Sequence, residues 1–495
     1  MEIRLRSAQR GFSYVITASV LAVFLLLTGT AARDKYFTSF GETSSPIRFS
    51  EAEADDWFVI RIRGAYSGFG RSRQYRTGDG WTLRDDLNLS LNIQGQLKPV
   101  KIESAADVDG EFRLKSFKLR ISSGIVSFDQ TGRMDGRDLV LDVPKAQGGG
   151  VRRMKLFEAP RMSRSLGLPV PLTGLQVGDE MKFPVFDPFE GAKSDAIIKV
   201  VQKADMEVSG RKTEAWLVKA LFRNADVGMW VDKEGRLLKG RLPLDITVIR
   251  SDKDEIARLV SGPKNLPDIV MLSNVSTDRP IPNPRNLTKL KLAVTRGGNL
   301  DIAEDTFRQK SSDLKVVVTK EQLPKASYVL PCKDAKVAQF LVSSRFIVSD
   351  HTEVIDKAKE IVGNEKDPVK AAQLINEWVY KNLKKVPVPT VPDALTVLRT
   401  RHGDCNEHAV LAVALARAVG LPARMALGLV YQDDGFYYHA WVTYWSGTDW
   451  FTGDPLMNQL PVDASHVTLL YGDVEKHLNV ISYLGQLEFK IEEMQ

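Results

Sequence analysis

The chain has 495 residues, too many for one ordinary hydrophobic core, and this length predicts two or three domains. Hydrophobic residues make up 43% and charged residues 26%, fractions typical of a soluble globular protein and not of a disordered one. The 68 Lys and Arg residues barely exceed the 62 Asp and Glu residues, and no basic run alternates with aromatic residues. This balance argues against nucleic-acid binding.

The first 34 residues differ in composition from the rest of the chain. Three arginines, Arg4, Arg6 and Arg10, precede an uncharged stretch from Gly11 to Ala32. As a helix this stretch would extend about 33 Å, which is enough to cross the hydrocarbon core of a bilayer. Because the positive charge comes first, the N-terminal end is expected in the cytoplasm. Residues 1–34 are therefore predicted to be a membrane anchor, with the rest of the chain outside the cytoplasm.

A cleaved signal peptide is the alternative for the same segment. The small residues Thr30, Ala31 and Ala32 would then form the cleavage site. Both interpretations export the rest of the chain, and no other segment is apolar enough to span a membrane. The two cysteines, Cys332 and Cys405, are few for an exported protein of this size. They are either both free or bonded to each other, and we favour free thiols.

Residues 45–260 have the pattern of an antiparallel β-rich domain. Apolar and polar residues alternate in Leu87–Ile93 and in Phe117–Ile121, which is the period of a half-buried strand. Trp230–Leu238 is typical of one hairpin. Further turn signals separate such runs, namely Thr131-Gly132, Asp135-Gly136 and Glu234-Gly235. The pattern predicts an antiparallel sheet, sandwich or open barrel, without a recognisable chemical site.

A proline-rich segment, residues 261–286, is a predicted linker to the second half. After it, Leu287–Val294 and Leu314–Thr319 have the character of strands, and they predict a small β module over residues 287–344. The last residues, 476–495, are assigned to a C-terminal strand or tail.

Helices are predicted to begin near residue 350. Asp350 and Glu353 have the spacing of a capping box, and Gly363 is expected to end the helix that they start. Asp367-Pro368 predicts the beginning of a second helix, since proline is favoured in the first turn.

The most informative segment begins at Asp404. Asp404 can cap a helix that starts at Cys405, with Glu407 three residues after the cap, and this helix is apolar nearly all round until Gly420 and Pro422 end it. A cysteine in the first turn lies at the positive end of the helix dipole, near free backbone N–H groups. Both are expected to favour the thiolate and lower the thiol pKa, and the N–H groups can bind an oxyanion.

A histidine and a carboxylate follow on predicted strands. Ala423–Gln432 and Phe436–Trp445 have strand patterns, and a turn at Ser446–Asp449 leads into a third strand, Trp450–Asp454. If Gly447-Thr448 is the centre of that turn, His439 lies diagonally from Asp454 on the same face, within reach of it. A catalytic cysteine needs such an imidazole and a group that fixes its tautomer.

Four sequence blocks in this order resemble the transglutaminase-like superfamily: Gly403-Asp404-Cys405-Asn406-Glu407, Gly420-Leu421-Pro422-Ala423-Arg424, His439-Ala440-Trp441-Val442 and Asp454-Pro455. The resemblance covers residues 345–475. It implies an α+β fold with a papain-like core, in which the cysteine helix packs on an antiparallel sheet that carries the histidine and the aspartate. It also implies that Cys405 is the nucleophile, His439 the general base and acid, and Asp454 the orienter.

The resemblance leaves the reaction open, because the family includes protein-crosslinking transglutaminases, peptidases and amidases. It implies a cysteine acyl transferase or hydrolase that acts on protein or peptide amides through a thioester, and hydrolysis is slightly favoured. For a bacterial member, export implies an enzyme tethered to the inner membrane and facing the periplasm. No cofactor is expected, no acidic loop resembles the calcium sites of animal members, and the oligomeric state stays open. Trp378 is a candidate second oxyanion donor.

The alternative is a non-catalytic envelope protein in which the β-rich domain binds a partner and the transglutaminase-like domain is a scaffold. Other residues have simpler interpretations. A metal site built from Cys405, His402 and His408 is a weak alternative, because further thiolates are missing. Arg424 is expected to be structural, and Cys332 an unreactive thiol.

Overall fold

The computed structural model describes residues 31–32, 52–93, 95–123, 126–142, 150–156, 159, 161–162, 176–187, 192–208, 210–222, 225–262, 265–296, 303, 307–312, 314–344, 346–386, 393–473 and 487–495. The described residues after Ser19 fall into two compact units that divide between Ile269 and Val270. The boundary lies within the predicted linker, whose limits remain a prediction.

The unit that ends at Ile269 is built from antiparallel strands. These are β1 Ala31–Ala32, β2 Ala54–Ile62, β3 Ala65–Thr77, β4 Gly80–Ile93, β5 Gln96–Val108, β6 Leu114–Ser123, β7 Val126–Asp135, β8 Asp138–Asp142, β9 Val151–Lys155, β10 Arg161–Met162, β11 Glu180–Asp187, β12 Ala192–Val208, β13 Arg211–Phe222, β14 Ala225–Val231, β15 Leu237–Leu242 and β16 Ile246–Ser251.

Fourteen of these strands form one sheet, in the order β11-β12-β13-β14-β15-β16-β2-β3-β4-β5-β6-β7-β8-β9. Two meanders, β2 to β9 and β11 to β16, join where β16 pairs with β2. This large antiparallel sheet confirms the prediction for the first half of the chain. A second, two-stranded sheet pairs β1 with β10.

The predicted alternation is realised in β4, where Leu87, Leu89, Leu91 and Ile93 are all buried. Burial of one face of such a strand fixes its register, because a slip of one residue would expose the whole apolar set.

The turns were predicted with mixed success. The hairpin at Trp230–Leu238 is confirmed, with Val231 opposite Leu237. Asp135-Gly136 is also a turn, between β7 and β8. The turn predicted at Thr131-Gly132 is wrong, because Gly132 lies inside β7 opposite Phe117 and Leu141. There the phenyl ring of Phe117 occupies the space that a Cβ would need, so glycine serves packing in a strand.

A short 3₁₀ helix, Pro243–Asp245, and the helices α1 Lys253–Val260 and α2 Ile269–Leu272 follow in the chain. Asp252 caps α1 by accepting a hydrogen bond from the backbone N–H of Glu255. Ile256 of α1 packs with Val59 and Tyr66 of the sheet. This apolar contact secures the helix to β2 and β3.

The unit from Val270 onward mixes helices and strands. Its helices are α3 Thr352–Val362, α4 Pro368–Asn382, α5 Ala394–Thr400 and α6 Cys405–Ala418, with 3₁₀ helices at Pro284–Asn286 and Ala335–Leu341. Its strands are β17 Ser276–Thr277, β18 Lys289–Arg296, β19 Gln309–Ser312, β20 Lys315–Thr319, β21 Lys384–Lys385, β22 His402–Gly403, β23 Ala423–Gln432, β24 Gly435–Trp445, β25 Trp450–Gly453, β26 His466–Tyr471 and β27 Glu488–Met494.

Two larger sheets belong to this unit, beside the short pair β21-β22. One has the order β25-β24-β23-β26, and the other has the order β17-β27-β18-β20-β19. The C-terminal strand β27 lies antiparallel to β18, with Leu292 opposite Ile491, and both of these side chains are buried. Nearly two hundred residues separate these partners in sequence, so only the folded chain brings them together.

The helix termini follow the local signals closely. Asp367 caps α4 and Pro368 occupies its first turn, while Gly363 ends α3 at a φ of +57°. The predicted cap Asp350 is wrong by one residue. His351 caps α3 by accepting from the N–H of Glu353, and Asp350 instead accepts a hydrogen bond from Ser343.

The predicted membrane anchor, residues 1–34, lies outside the described residues except for Ala31 and Ala32. The part of the chain that the structure describes contains no helix with the length and apolar character needed to cross a membrane.

Candidate active site

The helix α6 begins as the sequence predicts. Asp404 accepts a hydrogen bond from the N–H of Asn406, and Glu407 accepts one at 2.9 Å from the N–H of Asp404, which completes the capping box. The side chain of Glu407 lies over Gly403, where a Cβ would come within 2.1 Å of the Glu407 Cβ. Glycine at 403 is therefore required for the capping box to close around Cys405.

The side chains of α6 are buried from Cys405 to Arg417, which confirms the expected central helix. The helix ends at Ala418, and Gly420 then adopts a φ of +78°, a conformation that favours glycine. A buried helix without a polar stripe must be packed on all sides. Cys405 itself is fully buried.

Cys405 lies against β24. Its thiol accepts a hydrogen bond from the backbone N–H of Ala440, the residue that follows His439. One residue further along α6, the Asn406 amide oxygen accepts a hydrogen bond of 3.0 Å from the Tyr438 hydroxyl. The start of the helix is thus fixed to the strand on both sides of His439.

His439 and Asp454 form a direct hydrogen bond. Nε2 of His439 lies 2.8 Å from Oδ2 of Asp454, and both side chains are fully buried. The register that the sequence predicts is the one observed, since Trp445 pairs with Trp450 and Val442 pairs with Gly453. Asp454 follows the last paired residue and turns its carboxylate toward the histidine.

The position of Asp454 is held from several directions. Its Oδ1 accepts hydrogen bonds from the backbone N–H groups of Leu456, at 2.7 Å, and Met457, at 3.0 Å. Burial alone would raise the pKa of Asp454, but hydrogen bonds and charge from His439 and His466 hold it well below its usual range. Asp454 is therefore a carboxylate throughout the physiological pH range.

The prediction of a lowered thiol pKa is wrong for this closed site. Burial raises the pKa of Cys405 well above its ordinary value, and the nearby acidic groups Asp404, Glu407 and Asp454 raise it further. Burial also lowers the pKa of His439, against the opposite effect of Asp454. Desolvation therefore outweighs the helix dipole. The resting pair is an uncharged thiol and an uncharged imidazole.

Three ionisable residues of the site were not found by sequence reasoning. Nε2 of His466 lies 3.3 Å from Oδ2 of Asp454, and its Nδ1 lies 3.3 Å from Oδ1 of Asp463. Arg285 pairs with Asp463 at 3.1 Å. The only local signal was Asp463 with His466 three residues later, just outside the matching blocks, and Arg285 is too distant in sequence to be recognised.

The helix α4 also contributes to the site. Asn376 donates a hydrogen bond of 3.3 Å to the backbone carbonyl of Asp454 and is buried. The ring of Trp378, the predicted second oxyanion donor, contacts two cations. The guanidinium of Arg401 lies 4.4 Å, and the ammonium of Lys357 5.8 Å, from the Trp378 ring centre. Its role as an oxyanion donor remains a prediction.

Metal binding at Cys405 was a weak alternative. Nδ1 of His408 lies 2.7 Å from the backbone carbonyl of Asp404, while His402 is exposed. Among the described residues, the group whose donor atoms lie within 4.8 Å of one another is His439, Asp454 and His466. These atoms already contact each other as hydrogen-bonding partners, so the group has the geometry of a hydrogen-bonded chain.

The remaining predicted residues have structural positions. The Arg424 guanidinium lies over two aromatic rings, 3.9 Å from the Tyr471 centre and 4.3 Å from the Trp450 centre. Cys332 is buried, and neither it nor Cys405 forms a disulfide bond. Its backbone N–H donates to the carbonyl of Gly420.

Residues 355–455 match the sequence model of the transglutaminase-like superfamily. The chain therefore contains a transglutaminase-like domain, and the resemblance inferred from the four blocks is confirmed. The match covers most of α3, all of α4, α5 and α6, the strands β23 to β25, and Asp454, which follows β25.

An uncharacterized protein of Haemophilus influenzae is 33% identical over 139 residues, which is 26% of this chain and 37% of that protein. The chain thus spans little more than a third of this relative. Among solved structures, a candidate cysteine protease from Cytophaga hutchinsonii has 16% identity and a TM-score of 0.29, with 42% of this chain and 89% of that chain covered. A β-barrel-like protein from Brucella abortus has 9% identity and a TM-score of 0.28, covering 40% and 96%. Scores this low carry no argument about this chain.

Proposed function

We propose that the protein is a cysteine acyl transferase or hydrolase that acts on protein or peptide amides. The observation that carries this proposal is the buried hydrogen bond of 2.8 Å between His439 and Asp454, on the strand whose next residue contacts the Cys405 thiol. A thiol beside an imidazole that a carboxylate orients is the arrangement that nucleophilic catalysis needs. Cys405, His439 and Asp454 are the proposed catalytic residues.

The proposed reaction begins with attack of the Cys405 sulfur on an amide carbonyl carbon. Since Asp454 engages Nε2 of His439, Nδ1 is the nitrogen available for proton transfer. His439 accepts the thiol proton as the C–S bond forms, and then transfers it to the nitrogen of the breaking C–N bond. An amine leaves and a thioester remains on Cys405. Water, or a second amine, then displaces the sulfur and returns the proton through His439.

Deprotonation of Cys405 is proposed to occur together with attack. In the resting site burial raises the pKa of Cys405 and lowers that of His439, so a stable thiolate–imidazolium pair is disfavoured. The helix N-terminus nevertheless offers backbone N–H groups to the oxyanion that develops in the transition state. These N–H groups then stabilise the transition state more than they stabilise the resting enzyme.

We further propose an acyl acceptor, a core architecture and a cellular location for the enzyme. We propose hydrolysis as the main reaction, because water needs no dedicated acceptor site, and transamidation as the second outcome. The core is proposed to be papain-like, with α6 against β23 and β24. The N-terminal segment is proposed to tether the enzyme to the inner membrane, with the catalytic unit in the periplasm. Fractionation of cells that express the full chain, with and without residues 1–34, tests the tether.

Labelling with an iodoacetamide probe tests the nucleophile. The chain has two cysteines, so Cys332→Ala is the matched control for Cys405→Ala. We expect wild type and Cys332→Ala to be labelled at Cys405, and Cys405→Ala to lose this labelling. Equal labelling of Cys405→Ala and wild type would contradict a reactive Cys405.

Trapping of the thioester identifies the acyl donor. Acid-quenched envelope extracts incubated with wild type should yield peptides joined to Cys405, and His439→Ala should yield none. Full function of His439→Ala in cells would contradict catalysis and favour the binding role of the β-rich unit.

A further inference from the structure

His466 contacts the same oxygen of Asp454, Oδ2, that forms the hydrogen bond with His439. It lies on β26, at the edge of the sheet that carries His439, and its side chain is fully buried. Nε2 faces Oδ2 of Asp454 and Nδ1 faces Oδ1 of Asp463, each at 3.3 Å. Both ring nitrogens therefore contact a carboxylate oxygen.

The protonation of this imidazole follows from its two partners. Both partners have the contacts of ionised carboxylates even without His466. Asp454 accepts hydrogen bonds from the backbone N–H groups of Leu456 and Met457. Asp463 pairs with Arg285 and accepts a hydrogen bond from the N–H of Ser465. An ionised carboxylate only accepts hydrogen bonds, and a neutral imidazole donates only one. Both contacts are hydrogen bonds only if both nitrogens of His466 carry protons.

We propose that His466 is a positioning residue of the catalytic site, a buried imidazolium that clamps Asp454 between two histidines and balances its charge. This inference rests on the proposed function of Cys405, His439 and Asp454. It adds a chain of alternating charge behind them, which runs from Asp454 through His466 and Asp463 to Arg285.

The groups around His466 on each neighbouring element fit this assignment. Asp463 also accepts hydrogen bonds from the Ser465 N–H, at 2.8 Å, and from the Ser465 hydroxyl, at 2.6 Å. The Arg308 guanidinium, from the residue just before β19, donates to the backbone carbonyls of Asp463, at 3.0 Å, and His466, at 3.1 Å. The Arg308 guanidinium pairs with the Glu321 carboxylate at 3.5 Å, and this pairing balances the positive charge of Arg308 near His466. A doubly protonated ring here contacts two anions and faces a neutralised guanidinium.

The clamp has a consequence for His439. Without a compensating cation, Asp454 would stabilise the protonated form of His439, so at a given pH a larger fraction of His439 would already carry a proton and could not accept the one from the thiol. Burial lowers the pKa of His439 against this effect of Asp454, and the cation at His466 lowers it further. His466 thus keeps His439 uncharged. It also fixes Asp454, the carboxylate that orients His439.

The first test is the protonation state of His466 in the intact chain. The protein has six histidines, so ¹⁵N-histidine labelling and a two-dimensional imidazole NMR spectrum give six signals, and His466→Gln assigns one of them. We expect the His466 signal to show two protonated nitrogens at pH 7. A neutral-tautomer pattern at pH 7, or a pattern that changes after dialysis against EDTA, would overturn the proposal. This readout does not depend on catalysis, so it stands even if Cys405 proves unreactive.

The second test is the pH profile of Cys405 alkylation. Loss of the cation in His466→Gln should move the acid limb of the profile to higher pH by about one unit, because His439 then takes up its proton more readily. Asp463→Asn, which removes only the outer carboxylate, should move the limb in the same direction by less and serves if His466→Gln folds poorly. Thr468→Val, a buried isosteric change two residues along β26, is the control and should leave the limb in place. An unmoved limb in both folded variants would overturn the proposal.

Discussion

The two units differ in how deeply their ion pairs are buried. In the unit that ends at Ile269, most of the described ion pairs lie on exposed strand faces, and Arg250 and Asp56, a more buried pair, still keep 20% and 8% of their side chains exposed. Lys203 and Glu214, for example, lie 2.8 Å apart with side chains about half exposed, at 48% and 50%. In the unit from Val270 onward, the Arg308 and Glu321 side chains pair at 0% and 6% exposure.

The difference distinguishes charged side chains that keep the surface soluble from charged side chains that a functional site needs. Exposed pairs are screened by water and salt and stabilise a fold little. Buried charges cost several kcal/mol to desolvate, so a fold keeps them only where they are fully paired or where a site needs them. The buried charges of the second unit lie close to His439. Asp454 forms a hydrogen bond with His439, and Arg308 donates to the backbone of Asp463 and His466. A region that keeps costly charges is where function is expected.

The largest expected effect is on catalysis. Asp454→Ala should lower turnover by about 10²–10⁴-fold, because His439 loses the carboxylate that fixes its tautomer. Amine release from a mixed peptide library measures this loss. The exposed Asp449, in the turn of the same hairpin, is the control, and Asp449→Ala should be nearly as active as wild type. Equal activity of the two variants would remove Asp454 from the mechanism.

The next effect is on the stability of the second unit. Glu321→Gln should reduce the free energy of unfolding by about 3–5 kcal/mol, because the Arg308 cation then loses its buried carboxylate. Denaturant unfolding followed by circular dichroism measures the change. A loss below about 1 kcal/mol would mean that hydrogen bonds to backbone carbonyls are enough to solvate the buried Arg308 cation. The contrast between exposed and buried ion pairs would then be weaker.

A smaller effect is expected from pH. Burial lowers the pKa of His408 from 6.5 to about 4. The unfolded chain therefore takes up this proton first, and stability that is present above pH 6.5 is lost as the pH falls toward 4. Between pH 7 and pH 5 the loss from this group should be about 2 kcal/mol.

The control for this pH effect is the exposed His402. His408→Gln should flatten the fall in unfolding free energy between pH 7 and pH 5, and His402→Gln should not. An unchanged slope in folded His408→Gln would show that the proton uptake belongs to another group.

The smallest effect is expected on the surface of the first unit. Glu214→Gln is the same chemical change as Glu321→Gln, but it should alter the free energy of unfolding by at most about 1 kcal/mol. Added salt should reduce this difference further. A loss as large as that of Glu321→Gln would show that the comparison between exposed and buried pairs does not hold here.

The amino-acid sequence determined those features of the site that depend on short-range contacts. The cap at Asp404, the start of α6 at Cys405 and the pairing of Trp445 with Trp450 follow from capping, turn length and strand alternation, which act over a few residues. For the same reason, the approach of His439 to Asp454, which are fifteen positions apart in the sequence, was predictable.

Tertiary structure alone decided the rest. Arg285 reaches Asp463 across 178 residues of sequence, and no local pattern records that contact. The pKa of Cys405 was predicted in the wrong direction because the helix dipole is visible in the sequence, whereas complete burial is a property of the packed molecule. Desolvation depends on every neighbour at once, and here it outweighs the local field.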